Sequence, residues 1–178
     1  IDRREVPVHE GEVVGVIGCG NVGMDAARTA LRMGAKVVYV IYHKTENEMS
    51  ALRSEYEDAV AEGVKFLWRT ATQEFICDNN SGWITGLKVD TPEGEKVLSF
   101  NRILLAIGSR PANRIVSTTT GIDVDSSGYV ITKDRPYGMT TRKGVFAGGD
   151  VVHTPQTVVL AMKEAKKVAV GIAQYVDA

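Results

Sequence analysis

The chain holds 178 residues, enough for one ordinary domain or for one domain and part of another. Its 44% hydrophobic content excludes a disordered chain, and a formal net charge of -1 gives no overall pull toward nucleic acid or an anionic membrane. The N-terminal stretch IDRREVPVHEG has no signal-peptide pattern, and no apolar run approaches membrane-spanning length, so a cytoplasmic protein is expected. Cys19 and Cys77 form no Cys-x-x-Cys, which argues against a redox dithiol or a zinc knuckle.

Val13 to Ile17 is a short apolar run ended by glycine, the pattern of a buried parallel strand. Helical spacing follows from Asn21 to Met33, with Val22, Ala26, Ala27, Ala30 and Leu31 on one side and Gly34 as the stop. Val37 to Ile41 is the second buried strand, which completes a βαβ unit. Ser50 to Ala61 reads as an exposed acidic helix and Val64 to Trp68 as a third strand. From Gln73 to Phe100 the period changes to a β-meander, EFICD, WITGLKVD and EKVLSF, with turn residues NNSG and TPEG between. RILLAIG is again a buried strand. A boundary is placed near Gly108 to Pro111, where SRPANRIVSTTTG turns loop-like. IDVDSSGYVIT reads as two strands about a turn, and GVFAGGD as one more strand. Thr157 to Val176 is a long amphipathic helix with Val158, Val159, Met162, Ala165, Val168, Ala169, Ile172 and Val176 as its apolar stripe.

Gly18-Cys19-Gly20-Asn21-Val22-Gly23 is a G-x-G-x-x-G between a strand and a helix, the context in which that pattern points to a dinucleotide. Gly18 permits the tight turn, Gly20 lets backbone approach a pyrophosphate, and Gly23 lets helix and strand pack closely. Asn21 and Val22 open the helix whose N–H groups would face the phosphates. The end of the second strand decides between cofactors. NAD-binding units usually carry an acid there for the ribose hydroxyl, whereas NADP-binding units supply cations for the 2′-phosphate. Here the strand runs VVYVIYHK with no acid until Glu46, so His43 and Lys44 favour NADPH. NADH stays open, as does the reading of His43 and Lys44 as a solvated loop.

The succession GNVGMDAARTALRMGA, IYHKTENEMSA, AEGVKF, LLAIGSRP and GVFAGGDVVHTPQTVVLAMKEAKK resembles the small (β) subunit of glutamate synthase. It also resembles the wider family of flavin-dependent pyridine nucleotide–disulfide oxidoreductases. In that family an NAD(P)H domain is inserted into an FAD domain. The resemblance implies a linker over 1–9, a Rossmann-like three-layer NAD(P)-binding domain over 10–108 with a parallel sheet and a β-meander, and the C-terminal part of an FAD domain over 109–178. It implies that the N-terminal FAD-binding segment is missing, so that the chain is a fragment, inactive alone, of a longer NADPH- and FAD-dependent oxidoreductase. Carried over by motif, Asp150 after Gly149 would hold the flavin's ribityl chain. Thr157, Val158 and Val159 would offer helix N–H groups to the flavin edge, Gly108 would close the strand in LLAIGSRP beside the cofactor, and Asp25 would lie near the nicotinamide. An acid in a helix's first turns also suits the helix dipole, so both readings of Asp25 stay open.

The mechanism implied is hydride transfer from NADPH to FAD and onward electron transfer. The acceptor would lie on another segment or on a partner such as the glutamate synthase large subunit. No catalytic side chain and no metal site are expected; His9, His43 and His153 lack ligand spacing. The alternatives are a flavin-free NAD(P)-binding regulatory module, a direct dehydrogenase, which would need a general acid–base, and a structural fragment. An unpartnered stripe on the last helix would favour a homodimer.

Overall fold

Runs of valine and isoleucine flanked by glycine build a parallel sheet. The structure is a computed structural model that describes residues 8–108, 114–154 and 157–177. Most of the expected 1–9 linker, Pro111 and Ala178 lie outside the described residues. The chain divides into two compact units, residues 1–108 and 109–178.

In the first unit β1 (Val13–Ile17), β2 (Val37–Ile41), β3 (Lys65–Leu67) and β7 (Arg102–Leu105) form a parallel sheet in the order β3-β2-β1-β7. Side chains alternate between its faces. Val14, Val16, Val38 and Val40 are wholly buried against Met24, Ala27 and Ala30 of α1 (Asn21–Arg32) and Ala59 of α2 (Arg53–Ala61). Val13, Ile17, Tyr39, Ile41 and Ile103 face the other way, onto Leu87, Val89 and Phe100 of an antiparallel meander. That meander is β4 (Ala71–Cys77), β5 (Ile84–Thr91) and β6 (Gly94–Ser99), in the order β4-β5-β6. Gly15 makes room for it, since a Cβ there would sit 3.2 Å from the Phe100 ring. The result is the expected three-layer, Rossmann-like arrangement of helices, parallel sheet and meander.

Each fully buried valine is worth roughly 1.5 kcal/mol or more. The charged clasp between the helices is open to solvent and screened by it, so it is worth less per pair. It consists of Arg28 on Glu55, Asp58 and Glu62, with Arg32 also on Glu62. Apolar layers, not charge, therefore hold α1 in place.

The helix expected from Ser50 begins only at Arg53. Residues 46–48 form a short 3-10 turn instead, closed by a capping box in which Thr45 and Glu48 exchange hydrogen bonds. The following residues stay extended because the glycine turn holds them: Ser50 N and Ala51 N both donate to Cys19 O, at 3.2 and 3.1 Å.

In the second unit, α3 (Arg114–Thr118) occupies part of the stretch expected as loop. IDVDSSGYVIT does not form two strands. Asp125 Oδ1 accepts from Ser127 N and Tyr129 N, and this turn leaves only the single bridge Val124–Val130. The hairpin falls later, as β8 (Thr132–Asp134) and β9 (Tyr137–Thr140). GVFAGGD is not a strand either. Two bonds, Thr140 N to Val145 O and Ala147 N to Gly138 O, tie it to β9, and a 3-10 turn follows at Gly149–Val151. On α4 (Val158–Val176), Val168 and Gly171 are the buried residues, while Val158, Val159, Met162, Ile172 and Val176 of the expected stripe are exposed. Backbone approach selects that face. Val168 fits between Gly138 and Gly148, where added Cβ atoms would come within 2.7 and 2.9 Å of its Cγ2. A Cβ on Gly171 would strike Tyr137 O at 2.1 Å.

Two tests of this packing follow. Gly171→Ala should destabilise the second unit by about 1–3 kcal/mol, the range of an overpacked contact, read as the shift of its melting transition. In the first unit Arg102 donates to both oxygens of Glu12, at 2.9 and 3.0 Å, and His9 N adds a third bond. These bonds, the Arg102 pair foremost, lower the Glu12 carboxyl to about 2 from 4.5. A carboxyl depressed by folding stabilises fully above its unfolded value and loses that contribution as pH falls through the folded one. Glu12→Gln should therefore cost about 2 kcal/mol at pH 7, the scale of a hydrogen-bonded charge. In urea titrations the gap to wild type should narrow below pH 4.5 and close near pH 2.

Candidate functional site

The sequence around the end of β1 is shaped by what a Cβ would hit. Gly18 has φ +114°, and a Cβ on it would stand 2.3 Å from Ala106 O at the exit of β7. A Cβ on Gly23 would stand 2.4 Å from Gly18 O, so α1 starts hard against the turn. Gly20 is different. Its backbone is extended (φ -100°, ψ 178°), a conformation open to any residue, and the nearest atom to its Cβ position is Ser50 Oγ at 3.3 Å. Glycine there leaves the backbone bare toward the outside.

Gly20 is also the N-cap of α1, and it brings no capping side chain. The first intrahelical bond is Met24 N to Gly20 O at 3.1 Å, so the N–H groups of Asn21, Val22 and Gly23 have no intrahelical acceptor. The first turn holds no acid, and no internal carboxylate competes for this positive end of the helix. The arrangement suits a phosphate-sized anion. Val22 is exposed beside it, while the Asn21 side chain has a structural task, accepting from Leu52 N at 2.8 Å. Cys19 is buried in the turn. Burial, and secondarily the Glu46 charge, push its thiol up to about 11, so it stays a neutral filler rather than a nucleophile. Cys77 is exposed on β4, and both cysteines are free.

His43 and Lys44 follow β2 directly, both exposed, and neither makes an ion pair among the described residues. The two acids nearby in sequence are engaged. Glu46 accepts from Arg53 at 2.6 Å and from the Tyr56 hydroxyl at 3.0 Å, which holds its carboxyl below the ordinary range. Glu48 accepts from the Thr45 hydroxyl and Thr45 N, with the same effect, and Lys44 and His43 contribute through their charge. Half-buried aromatics support this corner: Phe66 stacks on Trp68 at 5.2 Å, Tyr56 meets Phe66 edge-on at 4.8 Å, and Tyr42 donates to Glu48 O. One neighbour has no signature in the sequence pattern. Arg69, just after β3, has φ +52° and donates its N–H to Lys44 O at 2.8 Å. A left-handed backbone costs a non-glycine residue about 1–2 kcal/mol. Only the strand-end position in FLWRT hints at it in the sequence.

The other candidate residues are placed separately. Asp25 is exposed on α1, lining a hollow of about 260 Å³ with Val22, Ala26, Thr29, Val8 and Leu104. Gly108 is exposed with φ +83° and open space where a Cβ would lie. Gly149, Asp150, Thr157 and Val158 belong to the second unit. Gly149 (φ +76°) and Asp150 form the 3-10 turn that packs against α4, with the Gly149 Cβ position 3.7 Å from Ala161. Asp150 is exposed. Thr157 caps α4, its hydroxyl accepting from Leu160 N at 3.3 Å, and Val158 and Val159 are exposed in the first turn. The structure thus gathers the turn with His43 and Lys44 around the C-terminal ends of β1 and β2. No group of three or more His, Cys, Asp or Glu able to hold a metal ion occurs among the described residues. No helix among them is long and apolar enough to cross a membrane.

The chain is similar to several known proteins. The small chain of glutamate synthase [NADPH] from Halomonas elongata is 32% identical over 187 aligned positions, covering 94% of this chain and 39% of the relative. Subunit beta of the NADP(+)-dependent formate dehydrogenase of Moorella thermoacetica is 36% identical, covering 95% of this chain and 26% of the relative. The chain thus spans well under half the length of these relatives. Among solved structures, thioredoxin reductase from Lactococcus lactis superposes with a TM-score of 0.81 at 21% identity, over 95% of this chain and 54% of that one, a likeness of fold. The family profile described as pyridine nucleotide-disulphide oxidoreductase matches residues 2–165. With that match over most of its length, the chain belongs to the pyridine nucleotide-disulphide oxidoreductase family.

Proposed function

We propose that the first unit binds NADPH and that the second supplies part of the site for FAD, within a longer flavin-dependent oxidoreductase. The observation that carries the reading is the uncapped, acid-free start of α1 at Gly20, with exposed His43 and Lys44 beyond the neighbouring strand. Pyrophosphate would lie against Gly18, Gly20 and the N–H groups of Asn21, Val22 and Gly23. The 2′-phosphate would face Lys44 as a fixed charge and His43 as a donor. Glu46 and Glu48 are already engaged, by Arg53 and Tyr56 and by Thr45, which favours this over a ribose hydroxyl contact. In the second unit the Asp150 carboxylate can accept from the hydroxyls of a flavin side chain. The first-turn N–H groups of Val158 and Val159 can face a carbonyl or an anionic ring edge. Bound together, the two cofactors supply hydride transfer, and the protein's share is to hold and orient them. Cys19 is buried and protonated and Cys77 is exposed on β4, so these two cysteines form no dithiol relay. The relatives named above are a small chain and a subunit beta, which supports an electron-accepting partner subunit for the parent protein.

Calorimetric titration of the chain with NADPH and NADH tests the reading. NADPH should bind tighter by about tenfold or more, one charge-assisted contact being worth 1.4 kcal/mol or more. The double variant His43→Ala, Lys44→Ala should lose most of that preference and keep NADH binding. Gly20→Ala should fold with a small change in melting point, because its backbone is unstrained and only the rotatable Ser50 Oγ, 3.3 Å from the Cβ position, must give way. It should nonetheless bind both nucleotides about tenfold more weakly, by intruding where the pyrophosphate approaches. Equal affinity for the two nucleotides in the wild type would overturn the assignment of His43 and Lys44.

A further inference from the structure

We propose that Arg69 is a specificity-determining residue that joins His43 and Lys44 in holding a phosphomonoester on the ribose of the bound nucleotide. The inference rests on the NADPH reading above and adds a contribution from a different strand.

β2 and β3 run parallel in register to Ile41 and Leu67, and the pairing continues past both strand ends. Tyr42 N donates to Leu67 O at 3.0 Å, Arg69 N to Lys44 O at 2.8 Å, and Thr70 N to Tyr42 O at 2.9 Å. Arg69 is thereby fixed beside Lys44. Its backbone lies in the left-handed region, and no other non-glycine among the described residues does so. That region is normally left to glycine, or to asparagine and aspartate, which can bond their own backbone. Arginine has neither advantage, so its side chain must be wanted for something the local fold does not use.

Arg28, Arg32, Arg53 and Arg102 are each held by carboxylates. Arg69 is exposed, and it is the one described arginine of the first unit that has no carboxylate partner among the described residues. The acids nearest this corner are already occupied, Glu46 by Arg53 and Tyr56, Glu48 by Thr45. Lys44 and Arg69 thus leave two exposed cationic side chains on adjacent strand ends. This is the complement of a phosphate dianion, and a guanidinium can grip it through two parallel bonds.

The test is calorimetry of the chain with NADPH and NADH, using Arg69→Gly, which suits φ +52°, and Arg69→Asn, which also tolerates it. Thermal melts check that both fold at least as well as the wild type. NADPH binding should weaken about tenfold in each, NADH binding should stay within about twofold, and Arg69→Lys should fall between. A wild-type preference for NADPH that survives in the folded variants would sink the Arg69 assignment alone. So would an equal loss of both nucleotides. Wild-type chain without any preference would sink the NADPH reading, and this inference with it.

Discussion

Everything in the first unit depends on two places where backbone must touch backbone. Between Gly18 and Ala106, and between Gly23 and Gly18, there is no room for a single methyl group. Those contacts draw the end of β1, the exit of β7 and the start of α1 to one point. The helix consequently begins directly over the strand end, with its first N–H groups bare. A side chain at either glycine would push the helix away, and the concentration of positive potential at that point would be lost. The remaining glycine of the motif is less constrained: at Gly20 the backbone is unstrained, and the nearest atom to a Cβ position is the rotatable Ser50 Oγ at 3.3 Å.

Around that point, alternation along β1 and β2 does the remaining positioning. Even-numbered valines face the helices and odd-numbered residues face the meander, which buries the sheet on both sides and leaves its C-terminal edge as the open rim. His43, Lys44, Glu46 and Arg69 all fall on or just beyond that rim. Their charges sort themselves by partner: acids are drawn to Arg53 and Thr45, and the cations stay exposed. The corner's electrostatics therefore come from pairing choices that span two strands and a helix, not from its composition.

The first βαβ unit was legible because local signals agreed. Valine runs, a glycine turn and a glycine stop mark β1, α1 and β2 to within a residue, and the meander announces itself through its turn residues. The family resemblance was legible from a succession of short motifs. Less visible were features set by distant backbone. The extended 49–52 stretch follows an acidic helical pattern in sequence but is captured by Cys19 O. β8 and β9 flank Arg135-Pro136, where no hydrophobic alternation advertises a hairpin. The apolar stripe of α4 was read by hydrophobicity, whereas the buried face is chosen by fit to glycine, at Val168 and Gly171. Arg69 could not be read there at all, because a left-handed arginine follows no pattern in one sequence.

The slot formed by Gly138 and Gly148 for Val168 has a consequence for how this chain can vary. The three positions come from a hairpin, a turn and a helix, yet they share one small volume. A mutation adding bulk at either glycine becomes tolerable only after the valine has shrunk, and a larger residue at 168 has nowhere to go. They can drift only as a set, through intermediates that leave a void first, so substitutions here should be correlated among descendants.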